Sequence, residues 1–97
     1  MTREATYRDP IDRVKDAHAH SSNHRVEIEA SELCGCFYCR EHFRPSEIVE
    51  WVDDDDRGRG TTALCPRCGI DSVLGDQSGF PISAAFLAEM HGYWFSS

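Results

Sequence analysis

Two Cys-x-x-Cys pairs constrain this chain more than any other feature of its sequence. Cys36 and Cys39 form the first pair, Cys65 and Cys68 form the second, and 25 residues lie between them. Two residues between cysteines let both sulfurs turn toward one ion, and zinc prefers four such ligands in a tetrahedron. The spacing therefore predicts one structural Zn²⁺ held by these four cysteines, with no coordination position left open for water or substrate.

Other uses of the same cysteines stay open at this point. An iron–sulfur cluster or a single iron ion of the rubredoxin kind would use the same four thiolates. Disulfides are disfavoured because residues 1–13 carry six charges and no apolar run, which is not a secretory signal. A redox-active Cys-x-x-Cys usually occurs singly. The sequence therefore predicts a cytoplasmic zinc protein.

The fifth cysteine, Cys34, is an extra thiol beside the first pair. It could replace Cys36 by pairing with Cys39 across four intervening residues. The tighter spacing favours Cys36 as the ligand, so Cys34 is expected to be a buried or half-buried free thiol. Four thiolates and one Zn²⁺ add two negative charges, and Arg40 and Arg67 are expected to balance them beside the site.

The rest of the chain predicts a small α+β fold in a single domain covering residues 1–97. Asp9 and Pro10 are typical of a helix start, and a second short helix is expected near residues 26–30, so residues 1–33 form a helical segment. Residues 34–79 are expected to hold a zinc-ribbon-like hairpin, with strands at 48–52 and 61–64 around an acidic turn. A C-terminal helix, which we call the closing helix, is expected within residues 80–97, starting near Ser83 and ending at Gly92.

The charge of the chain restricts its partners. Ten basic and 17 acidic residues give a net charge of −7. Sequence-independent DNA binding and binding to anionic membranes both depend on clustered Lys and Arg, so neither is expected. No apolar stretch approaches the roughly 18 residues that a spanning helix needs.

Several stretches of this chain resemble a family of small, uncharacterised bacterial cytoplasmic proteins. The stretches are CGCFYC at 34–39, PSEI at 45–48 with Trp51, CPRCGIDSV at 65–73 and the pairs Met90-His91 and Trp94-Phe95. The resemblance implies a bacterial cytosolic protein with zinc knuckles and implies no activity. More loosely, the knuckles are similar to those of zinc-ribbon and treble-clef modules. Gly69 after the second pair favours the ribbon form, because a treble clef opens a helix there.

These features predict a structural-zinc-stabilised interaction module that binds an unknown protein or a specific nucleic-acid structure. One alternative is a zinc-containing nuclease of the HNH type, which needs a histidine pair or an Asp-His motif beside the zinc. Only His42 lies between the two cysteine pairs. The other alternative is a thiol or zinc redox sensor built on Cys34 and the knuckles.

Overall fold

Three α-helices frame the chain in a computed structural model that describes residues 10–95. They are α1 (Pro10–His18), α2 (Arg25–Glu29) and α3 (Ala84–Trp94). The predicted first helix is present from Pro10, the first described residue, and its expected cap Asp9 lies outside the described residues. Helix α3 begins after Ser83, whose hydroxyl oxygen accepts a hydrogen bond from the backbone N–H of Phe86 at 3.1 Å.

The predicted end of the closing helix at Gly92 is wrong, because α3 continues to Trp94. Tertiary contacts hold this last turn in place. The indole N–H of Trp94 donates to the carbonyl oxygen of Val14 at 3.1 Å. The same indole lies against the ring of His18, with 4.0 Å between ring centroids. Packing against α1 therefore outweighs the weak helix propensity of glycine.

The predicted hairpin is present between the two cysteine pairs. Strand β3 (Trp51–Asp54) pairs antiparallel with β4 (Gly60–Ala63), and Trp51 lies opposite Ala63. The first strand starts three residues later than the predicted Ile48, because Pro45–Glu47 forms a 3-10 turn first. Asp55 closes the tip by accepting the N–H groups of Arg57 and Arg59 at 2.9 and 3.0 Å.

A second sheet, which the sequence patterns did not predict, lies beside the hairpin. Its strands are β1 (Cys34–Cys36), β2 (His42–Phe43) and β5 (Val73–Gly75), in the order β2-β1-β5 with antiparallel pairing. The expected α+β class is confirmed, with helices against two small antiparallel sheets.

Strand β1 separates two clusters of buried side chains. Leu74, which lies opposite Gly35 in the sheet, packs with α1 and α3. On the other side, Cys34, Cys36 and Val73 pack with residues of α2 and the hairpin. Glycine at residue 35 lets α3 pack closely, because an added Cβ would lie 2.8 Å from the Cδ1 atom of Leu87 and would force that side chain to shift. The strand that carries Cys36 is thus packed on both faces.

His24 attaches the helical segment to the hairpin. Its backbone N–H donates to the carbonyl of Thr61 at 2.8 Å. Its ring Nε2 accepts the N–H of Ala63 at 3.0 Å, and its Nδ1 lies 2.6 Å from the carbonyl of His20. Since a carbonyl only accepts, the Nδ1 atom carries the proton and the ring is neutral. Burial of this ring lowers the pKa of His24.

Candidate metal centre

The four predicted cysteines converge at one point beside the two sheets. The Sγ atoms of Cys36, Cys39, Cys65 and Cys68 all lie within 4.8 Å of one another. Two of the distances that join the pairs, Cys36 to Cys68 and Cys39 to Cys65, are 3.7 Å. Sulfurs at the corners of a tetrahedron with zinc–sulfur bonds of about 2.3 Å are about 3.8 Å apart. The cluster therefore has the size that a tetrahedral metal ion requires.

The two cysteine pairs form loops with the same backbone hydrogen bonds. In the first loop the N–H of Cys36 donates to Glu41 at 3.1 Å, and its carbonyl accepts the N–H of Arg40 at 2.8 Å. In the second loop Cys65 makes the equivalent bonds, to Ile70 at 3.0 Å and from Gly69 at 2.9 Å. We call these two loops, residues 36–41 and 65–70, the first and second knuckles.

Each knuckle also directs an amide N–H at the sulfur of its first cysteine. The N–H of Tyr38 lies 3.3 Å from the Sγ of Cys36, and the N–H of Arg67 lies 3.2 Å from the Sγ of Cys65. Such bonds stabilise a thiolate, which is the form that binds a metal.

Both knuckles need a left-handed residue directly after their second cysteine. Gly69 takes this conformation with φ of 81°, which costs glycine nothing. Arg40 takes the same conformation in the first knuckle, with φ of 66°. A residue with a Cβ is strained there, by about 1–2 kcal/mol. The backbone of the first knuckle is therefore held in place by its surroundings rather than by local preference.

The thiols of the cluster have unequal pKa values. Burial raises the pKa of Cys39 to about 11 and also raises the pKa of Cys68. Burial acts in the same direction on Cys36, but hydrogen bonds from Ser72 and from two backbone N–H groups outweigh it, and the pKa is lowered. A bound cation would hold all four sulfurs as thiolates, since it stabilises their charge directly.

Ser72 is a site residue that the sequence analysis missed. Its side chain is buried, and its hydroxyl lies 3.2 Å from the Sγ of Cys36. Ser72 reaches this position because the next residue, Val73, lies opposite Cys36 in the β1–β5 ladder. No spacing rule in the sequence indicates that pairing.

Cys34 lies outside the cluster. It is fully buried in β1, two residues before Cys36, and its side chain packs in the core beside α2. Burial and the nearby Asp76 carboxylate raise the pKa of Cys34 to about 12. A thiol in that state is a poor nucleophile, which argues against a redox sensor that depends on Cys34.

The two arginines expected beside the metal behave differently. Arg67 directs its guanidinium away to Glu47, with 2.7 Å between Nη2 and Oε1, while its backbone N–H serves Cys65. The side chain of Arg40 is exposed and has no ion-pair partner among residues 10–95. That either guanidinium balances the charge of the cysteine cluster stays a prediction. The backbone N–H of Arg67 does donate to the Sγ of Cys65.

A nuclease of the HNH type needs a second metal-binding group beside its zinc. Within the described part of the chain, the four cysteines are the single group of three or more His, Cys, Asp or Glu side chains that could hold a metal. His42 lies in β2, and its Nε2 atom lies 2.8 Å from the carbonyl oxygen of Ile82. That nitrogen is therefore the protonated one and is used to fix the sheet to the segment before α3.

Comparisons with known proteins add no family. No family model matches the chain, and neither a curated protein nor a solved structure matches it significantly. None of the helices within residues 10–95 has both the length and the apolar character needed to cross a bilayer. Functional inference therefore depends on the cysteine cluster and the surfaces around it.

Proposed function

We propose that this protein is an interaction module of the bacterial cytosol, stabilised by one structural zinc ion bound to Cys36, Cys39, Cys65 and Cys68. The observation that carries the proposal is the convergence of four sulfurs within 4.8 Å on two knuckles with matching hydrogen bonds. Four cysteines leave no open coordination position, so the ion would hold the fold together rather than activate water. Zinc fits better than iron because a folding role needs no redox change.

The position of the cluster supports a role in folding. The first knuckle joins β1 to β2, and the second joins β4 to β5. Since β4 belongs to the hairpin and β5 to the three-stranded sheet, an ion between the knuckles links both sheets. Apparent zinc binding energies in comparable peptides are about 10–16 kcal/mol. That is comparable to the whole stability of a typical small domain, about 5–15 kcal/mol.

Elemental analysis and thermal melting test the proposal together. The full chain, purified under reducing conditions without chelator, should contain one zinc per molecule and little iron. A strong chelator should remove the zinc and abolish the cooperative melt seen by circular dichroism. Cys68→Ser should reproduce both effects. A chain that contains no metal, or that melts identically with and without the chelator, would refute a structural zinc.

A further inference from the structure

A groove between α2 and the start of the hairpin has the size of a ligand site. Its volume is about 510 Å³, and the half-buried Trp51 and the buried Ile48 line it. Specific ligand sites commonly measure about 300–1,000 Å³ and combine an apolar lining with a few polar groups. The groove lies away from the cysteine cluster and takes no part in binding the metal.

One wall of the groove is rigid. The guanidinium carbon of Arg25 lies 4.3 Å from the centroid of the Trp51 ring. The same guanidinium donates to the carboxylate of Glu29 at 2.9 Å and to the carbonyl of Gly60 at 3.0 Å. Arg25 is therefore paired with Glu29, a carboxylate that also accepts Arg59 at 3.3 Å, and its guanidinium covers one face of the indole.

Two other charges that line the groove have no such partner. Arg44 and Glu32 are both exposed, and neither side chain forms an ion pair within residues 10–95. A cation and an anion that are both unpaired among residues 10–95, beside a half-buried indole, favour a ligand that carries both charges.

The second knuckle supports the wall that carries Arg44. The backbone N–H of Arg44 donates to the carboxylate of Glu47 at 2.9 Å. The other oxygen of that carboxylate accepts the guanidinium of Arg67 at 2.7 Å, and the N–H of Arg67 donates to the Sγ of Cys65. Folding of the knuckle around its metal therefore fixes the backbone that presents Arg44.

We propose that this groove is the binding site of the module, and that its occupant is a short extended segment of a partner protein. The segment would place an acidic side chain on Arg44, an apolar side chain on Trp51 and Ile48, and a basic side chain on Glu32. This inference rests on the proposed function, because it assigns the partner of the same zinc-stabilised module.

The charges of the groove favour a peptide over a nucleic acid. Arg25 and Arg44 are matched by Glu29 and Glu32, so the lining has no net charge. A nucleic-acid backbone gains affinity from clustered cations. In this groove its phosphates would meet as many carboxylates as guanidinium groups, two of each. A segment with one charge of each sign can meet the opposite charge at Arg44 and at Glu32.

Selection from a phage-displayed library of short random peptides tests this proposal on the zinc-loaded full chain. Enriched peptides are synthesised, and their dissociation constants are measured by fluorescence anisotropy. We expect peptides with an acidic and a basic residue on either side of an apolar one. Arg44→Ala should weaken binding by about tenfold or more, since it removes a charge-assisted bond. Arg57→Ala, which removes an arginine of the hairpin tip whose side chain has no ion-pair partner within residues 10–95, is the matched control and should leave binding unchanged.

A charge exchange gives the sharpest readout. Arg44→Glu should abolish binding of a selected peptide, and changing the acidic residue of that peptide to lysine should restore it. The proposal is overturned if no peptide is enriched, if enriched peptides bind Arg44→Ala as well as the unchanged protein, or if a mixed-sequence single-stranded oligonucleotide binds the groove more tightly than they do.

Zinc content and melting temperature are measured on every sample of this experiment. If the unchanged protein holds no zinc but peptide binding still depends on Arg44, the zinc proposal fails and the groove proposal stands. If zinc is present and the melts are normal but Arg44 has no effect, the groove proposal fails alone.

Discussion

The left-handed residue of the first knuckle gives a prediction whose sign differs from the usual one. A protein with glycine inside a helix or strand is normally less stable than one with alanine there, by about 0.5–1 kcal/mol. Arg40 has φ of 66°, where a Cβ costs about 1–2 kcal/mol that glycine avoids. We therefore expect Arg40→Gly to be more stable than Arg40→Ala by about 1 kcal/mol. Both variants lose the guanidinium, so their difference isolates the backbone strain.

The second knuckle provides the mirror control. Gly69 has φ of 81°, and an added Cβ would have no heavy atom of another residue within 4 Å. Gly69→Ala should therefore lower the free energy of unfolding by about 1 kcal/mol through backbone strain alone, without a steric clash. For a domain of this size, 1 kcal/mol corresponds to a shift of about 4–8 °C in melting temperature.

Thermal melts by circular dichroism at saturating zinc measure both differences. The zinc content of each variant is determined in parallel, so that lost metal is not mistaken for strain. If Arg40→Ala melts at or above the temperature of Arg40→Gly, the left-handed knuckle does not carry the strain that its dihedral angle implies, and the reasoning is refuted.

Three further predictions concern the core and the site. Cys36→Ser should lose zinc, whereas Cys34→Ala should keep zinc and lower the free energy of unfolding by about 1 kcal/mol. Metal analysis of both variants shows which cysteine is the ligand, and the reverse pattern would make it Cys34. Because burial lowers the folded pKa of His24, its stabilising contribution is present above the ordinary pKa of about 6.5 and is lost as pH falls below it. His24→Gln, which cannot titrate, should lose less of its free energy of unfolding than the unchanged protein between about pH 7 and 5, as measured by urea unfolding. Equal dependence of that free energy on pH in the two proteins would refute this. Gly35→Ala should push α3 away and lower the urea midpoint by an amount equivalent to about 1–3 kcal/mol, and an unchanged midpoint would contradict the close packing.

Local signals in the sequence were sufficient for part of this fold. Ser83 caps α3 as predicted, because capping depends on neighbouring residues alone. The cysteine pairs also predicted which four sulfurs come together, since each knuckle is a loop with a fixed spacing. The hairpin was placed correctly, although its first strand begins later than its apolar run.

Features that depend on distant pairing could not be predicted. Strand β1 consists of Cys34, Gly35 and Cys36, which have no alternating pattern and include a glycine that is unfavourable in strands. It is a strand because residues 73–75, which lie about 40 residues further along the chain, pair with it. Ser72 reaches the sulfur of Cys36 through the same pairing, so its role is invisible before the ladder is known.

The two neighbours of β1 become available at different times during synthesis. Strand β2 follows within a few residues, so the first knuckle can close as soon as residue 43 has left the ribosome. Strand β5 ends at residue 75, and until then one edge of β1 has unpaired N–H and C=O groups. The nascent chain also carries two thiols without their opposite pair until residue 68 emerges. Completion of the four-cysteine cluster and protection of this edge therefore both wait for residues 65–75, and a chain truncated before residue 65 would expose both half of the cluster and an open strand.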